Sequence, residues 1–217
     1  TVSSVILEAS VRDAGGRPVN GLNGGDFVGS EDGVPQTIDQ GAPETEPASY
    51  TLLIDTSQSM SRRLEFVRDA ARQLPSRLRA NDRTTVIPFS TRLGPVTGPT
   101  LDRDTVVGGI DAIQSSGGTA ILDCLTQAVE QLRAGEGRQI VVLITDGYDE
   151  NSRLKFDEAL ARIRASEVTV YVVAIGGVAG ISLKGEDLLK RLAAETVGRA
   201  FFPSREFQLT DMNGLIA

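Results

Sequence analysis

Apolar residues along most of this chain alternate between two patterns. Short continuous runs occur at Leu52–Ile54, Thr84–Phe89 (TTVIPF), Gln139–Thr145 (QIVVLIT) and Val168–Ile175 (VTVYVVAI). A run apolar on both faces is what a buried parallel strand requires. Between these runs the apolar residues recur every three or four positions: Leu64, Val67, Ala71, Leu74 and Leu78; Ile121, Leu125, Ala128, Val129 and Leu132; Phe156, Leu160 and Ile163; Leu188, Leu189 and Leu192. Each set marks one stripe of a helix. Pro75 should kink or shorten the first of these helices, and Gly135 and Gly137 should end the second. Pro88 belongs near the end of its strand, where a missing N–H matters less. Gly94–Thr100 has room for at most a short strand, Thr105–Ile113 reads as a brief helix broken by Ser115–Gly118, Ala200–Phe202 as a short last strand, and Glu206–Ile216 as a weak terminal helix. Strands alternating with helices mean βαβ units, hence an α/β fold with a doubly wound, mostly parallel sheet.

Residues 1–40 have a different texture. Val2–Val11 is apolar with partial alternation, Asp13–Pro18 is rich in turn residues, and Asp32-Gly33 predicts a tight hairpin with a short strand on either side. This is a small β-rich extension, too short to bury a core alone. Gly41–Ser49 (GAPETEPAS) has two prolines and no periodicity and reads as a linker. The main domain then covers residues 50–217.

Composition narrows the chemistry. The chain has 217 residues, 40% hydrophobic and 24% charged, with a net charge of −7 and no Lys/Arg block. That balance points away from nucleic acid and anionic membrane surfaces, and no apolar segment approaches the length of a membrane span. There is no histidine, which removes Ser-His-Asp and Cys-His catalysis and His-ligated zinc. Cys124 is the single cysteine, with apolar neighbours, and reads as a small core residue. The first residue is Thr1 and no signal-peptide pattern follows, so the chain reads as a trimmed mature domain whose compartment no targeting segment reveals. No phosphate-cradling G-x-x-x-x-G-K-[ST] occurs.

The candidate chemistry gathers at three strand–helix junctions. The run Leu52–Ile54 stops at Asp55, followed by Ser57 and Ser59 in a D-x-S-x-S pattern. Three hard oxygen donors this close suit Mg²⁺, Mn²⁺ or Ca²⁺, although a Ser or Asp capping the next helix explains them equally well. Thr119 follows Gly117-Gly118 just before the long helix, and Asp146-Gly147 follows the most apolar strand. In a doubly wound sheet, ligands bind at the carboxyl ends of strands where the strand order reverses. If the strands ending at Asp55 and Asp146 are neighbours there, two carboxylates and three hydroxyls face one crevice. Asp149, Glu150 and Asn151 are a tempting second cation site, but a solvated acidic cluster at the start of a helix is the simpler reading. Asp123 reads as a first-turn helix acid that could also orient the loop before it.

Taken together, D-x-S-x-S, the Thr of GGT and the Asp of I-T-D-G resemble the metal-ion-dependent adhesion site of von Willebrand factor A domains and integrin inserted domains. The resemblance covers about residues 48–217 and includes all five motif positions. It implies a Rossmann-like fold in which the Ser57 and Ser59 hydroxyls ligate a divalent cation, Mg²⁺ or alternatively Mn²⁺ or Ca²⁺, and Thr119 does so directly or through water. Asp55 and Asp146 would hold the ion largely through bridging waters or at longer reach. It also implies a protein partner that offers an Asp or Glu carboxylate to an open coordination position, and no catalysis. Residues 1–40, with Glu31-Asp32-Gly33-Val34-Pro35-Gln36, are similar to the extension before the A domain in bacterial A-domain-related proteins, which implies an extracellular, cell-surface or periplasmic location. Two other functions fit some of these residues. A haloacid-dehalogenase-type phosphatase also places an Asp at a strand end beside a metal, but it has a second carboxylate two residues later, where this chain has Ser57. A structural domain with an unused metal site is the other.

Overall fold

The computed structural model describes residues 21–38, 47–132, 137–176 and 181–203, together with Ala9, Val11, Asp13 and Val19. It divides into two compact units, residues 1–46 and 47–217.

In the first unit, β1 (Gly29–Glu31) pairs antiparallel with β2 (Val34–Gln36). The residues between them, Asp32 and Gly33, have φ of 50° and 80°. Both are left-handed, as the two-residue hairpin turn favoured by Asp-Gly demands. The expected strand at Val2–Val11 and the turn at Asp13–Pro18 lie almost wholly outside the described residues.

The second unit holds a six-stranded sheet in the order β5-β4-β3-β6-β7-β8. Its strands are β3 (Ala48–Asp55), β4 (Arg83–Phe89), β5 (Thr97–Thr100), β6 (Arg138–Thr145), β7 (Thr169–Ala174) and β8 (Ala200–Phe201). All pairings are parallel except β4–β5. The helices are α1 (Leu64–Arg77), α2 (Arg103–Asp111), α3 (Ile121–Leu132), α4 (Phe156–Arg164) and α5 (Leu183–Ala194). The strand β3 begins before Tyr50: Ala48 is buried and donates its N–H to Asp82 Oδ1 at 2.9 Å, so Ala48 and Ser49 belong to the sheet and not to the linker. Pro75 sits in the last turn of α1, which ends two residues later. The terminal helix expected at Glu206–Ile216 lies outside the described residues.

Alternation along the strands produces two apolar layers. Leu52, Ile54, Val142, Ile144 and Val173 face α1 and α2, meeting Val67, Leu74 and Ile110. Leu53, Val141, Leu143 and Val172 face α3, α4 and α5, meeting Leu125, Ile163 and Leu192. The strand order reverses between β3 and β6: the chain leaves β3 for β4 on one side and returns at β6 on the other. These two strands are in register up to Ile54 opposite Ile144, so Asp55 and Thr145 finish side by side at their carboxyl ends.

Candidate metal centre

Asp55, Ser57, Thr119 and Asp146 are all buried at this reversal point. Asp55 is fully enclosed, and its two oxygens are held from different strands. Ser57 donates its backbone N–H to Oδ1 at 2.9 Å, and Thr145 Oγ1 donates to Oδ2 at 2.7 Å. Burial pushes the Asp55 carboxyl from 3.8 up to about 6; the hydrogen bonds from Thr145 and Ser57 oppose that rise, and the nearby Asp146 charge adds to it. Among the described residues, no Lys or Arg pairs with Asp55 or Asp146. Two buried carboxylates facing each other's charge without a cation are unfavourable unless an ion supplies one.

The hydroxyls complete the set. Ser57 Oγ and Ser59 Oγ stand 3.0 Å apart. Two oxygens bound side by side to an octahedral Mg²⁺ at about 2.0–2.1 Å are separated by roughly the same distance. Among the described residues no three His, Cys, Asp or Glu side chains gather as a metal cluster, so these donors do not form an all-carboxylate cage. A site of two carboxylates and several hydroxyls that leaves places for water is the kind Mg²⁺ accepts. The residues present therefore fit a hard divalent cation.

Hydrogen bonds join the loop after β3 to the loop before α3. Gln58 donates its N–H to the Gly117 carbonyl at 2.9 Å, Ser116 donates to the Thr56 carbonyl at 2.7 Å, and the Ser115 hydroxyl donates to the Ser57 carbonyl at 2.8 Å. Gly117 has a φ of 78°, which glycine adopts without strain. Thr56 is tied to the neighbouring strand through its N–H and hydroxyl, which both donate to the Phe89 carbonyl.

With fold and site in view, comparison with known proteins settles the family. The model of the von Willebrand factor type A domain matches residues 51–214. The chain belongs to that family. A 26% identical relative, an uncharacterized protein of Synechocystis sp., aligns over 75% of this chain and 43% of its own length. The solved von Willebrand factor type A structure from Catenulispora acidiphila superposes with a TM-score of 0.64 at 21% identity, covering 78% of this chain and 41% of that one. The pilus adhesin SpaC of Lactobacillus rhamnosus GG superposes with a TM-score of 0.60 at 14% identity, covering 80% of this chain and 30% of that one. The chain thus spans less than half the length of each of these proteins. Membership of the von Willebrand factor A family supports a protein-interaction or assembly module.

In this A domain the loop after β6 does more than carry Asp146. Asp149 does not stand free in solvent: its Oδ2 accepts the Leu122 N–H at 3.1 Å and its Oδ1 the Ser152 N–H at 3.1 Å. Ser152 Oγ accepts the Asp123 N–H at 3.2 Å, and Asp123 in turn accepts the N–H groups of Arg153 and Leu154. The first turn of α3, which lacks a cap of its own, is therefore capped from a segment about thirty residues away. The solvated-cluster reading of Asp149, Glu150 and Asn151 is corrected in part: Asp149 caps the first turn of α3 and Asn151 bonds the loop before it, while Glu150 is exposed. Asp123 does orient a loop, the one after β6. No local pattern announces the Thr145 contact, because a Thr at a strand end is ordinary until its neighbour is known.

Proposed function

We propose that this A domain is a metal-dependent protein-binding module that captures an Asp or Glu side chain of a partner. Ser57, Ser59 and Thr119 hold Mg²⁺, or Mn²⁺ or Ca²⁺, through their hydroxyls, and Asp55 and Asp146 hold it largely through water. The observation that carries the reading is the pair of buried carboxylates, Asp55 and Asp146, that no cationic side chain among the described residues neutralises. A bound divalent cation would supply a position that accepts a carboxylate oxygen from outside. The chain's own residues contribute the rest. Both Asp55 oxygens are fixed by hydrogen bonds, which holds the carboxylate in one orientation.

Phosphatase chemistry of the haloacid-dehalogenase type finds little support in these residues. The position that would carry its second carboxylate is Ser57, whose hydroxyl sits against Ser59. The pilus adhesin SpaC shares this fold, and on that likeness we place this protein in an extracellular, cell-surface or periplasmic setting. The test is affinity capture on the immobilised protein in Mg²⁺. A partner released by chelator and not retained by Asp146→Ala supports the reading; retention indifferent to both refutes it.

A further inference from the structure

Thr119 is gripped through both its N–H and its carbonyl by a single short segment. Asn151 Oδ1 accepts the Thr119 N–H at 3.0 Å. The Thr119 carbonyl accepts the N–H groups of Asn151, at 2.9 Å, and Glu150, at 3.1 Å. Three hydrogen bonds thus fix the backbone of one residue, and two of them involve Asn151. Among the described residues nothing bonds the Thr119 hydroxyl, although Thr119 is buried. The clamp therefore restrains the main chain and leaves the side-chain oxygen available. The glycine before Thr119 completes the fit. A Cβ built on Gly118 would stand 2.2 Å from Asn151 Oδ1, so only glycine lets the amide come this close.

We propose that Asn151 is a positioning residue of the metal centre: it sets the place of the Thr119 hydroxyl and couples it to the loop that carries Asp146. This inference rests on the metal-site reading above. The physical reason is that a hydroxyl ligand binds well only when its backbone already stands in the bound geometry. Groups that orient a ligand without touching the ion typically change metal affinity about 10–100-fold when removed. The remaining contacts of the segment, through Asp149, Ser152 and Asp123, anchor it to the first turn of α3. Asn151 itself lies at the surface, so its replacement leaves the apolar core intact.

The test is a Mn²⁺ titration of the full chain followed by calorimetry, with the folded fraction checked by circular dichroism. Asn151→Ala should bind Mn²⁺ about 10-fold or more weakly than wild type. Asn151→Asp, which keeps an acceptor oxygen for the Thr119 N–H, should restore at least most of that affinity. Gly118→Ala, which pushes the Asn151 amide away, should weaken binding in the same way, and should cost little more when added to Asn151→Ala. Mn²⁺ affinity unchanged in folded Asn151→Ala, even with a lower melting temperature, would reduce Asn151 to a stabilising loop residue and overturn the proposal. If wild type itself fails to bind Mn²⁺, the metal-site reading falls first and this inference falls with it.

Discussion

Thr145 Oγ1 donates a 2.7 Å hydrogen bond to Asp55 Oδ2, joining the ends of the two strands between which the sheet reverses its order. Both residues are fully buried. The same Thr145 oxygen accepts the Gly147 N–H at 3.2 Å, so one hydroxyl links the first acidic residue of the site to the turn that follows the second. Hydrogen bonds to charged groups are worth about 1.5–3 kcal/mol. Thr145→Val keeps the shape and removes the hydroxyl. It should lower stability near neutral pH by about that amount, read from the urea midpoint with an unchanged slope.

The Asp55 carboxyl gives the metal-free protein a defined pH dependence. Its folded value, about 6, lies above the ordinary 3.8. The folded state thus binds the proton more tightly than the unfolded state, and the stability this gives is present in full below pH 3.8 and is lost as pH rises through about 6. A shift of this size corresponds to roughly 3 kcal/mol. In chelator, wild type should lose stability between pH 4 and 7 relative to Asp55→Asn, which has no such group to titrate. Chemical denaturation of both proteins across that range checks the difference; parallel curves would refute the assignment.

Fold and site separate experimentally at Gly198. A Cβ there would stand 2.0 Å from the Val170 carbonyl oxygen, a backbone atom that has nowhere to move within the sheet. Gly198→Ala should cost about 1–3 kcal/mol in overall stability, the usual range for overpacking. Since β7 and the turn before β8 supply none of the five site residues, Mn²⁺ affinity of the folded fraction should stay at the wild-type value.

Much of this architecture is legible in the sequence, because the hydrophobic pattern and the fold express the same burial. Gln139–Thr145 is apolar on both faces because β6 lies in the middle of the sheet with a layer of helices on either side. Asp55, Ser57, Ser59 and Asp146 stood out because polar oxygens directly after such runs have to sit at strand ends. What stayed hidden depends on pairing between distant segments. Neither the Thr145–Asp55 bond, ninety residues apart in the chain, nor the capping of α3 by Asp149 leaves a local pattern. The antiparallel direction of β5 was equally unreadable, since Thr97–Thr100 (TGPT) is too short and too polar to carry a period. The linker reading overruns β3 by two residues because Ala48 and Ser49 are small, and the place of Ala48 in the sheet depends on Asp82, thirty-four residues further on.

The central claim is that Asp55, Ser57, Ser59, Thr119 and Asp146 hold a divalent cation, and thermal unfolding with and without metal tests it most directly. A ligand that binds only the folded state stabilises it in proportion to the logarithm of its concentration over Kd, by about 2.7 kcal/mol at one hundred times Kd. Wild type should therefore show a melting temperature that climbs with Mg²⁺ or Mn²⁺, by several degrees at saturation. Asp146→Ala should remain folded and show no such climb. A wild-type melting temperature indifferent to both ions, or an Asp146→Ala protein that responds as wild type does, would contradict the assignment.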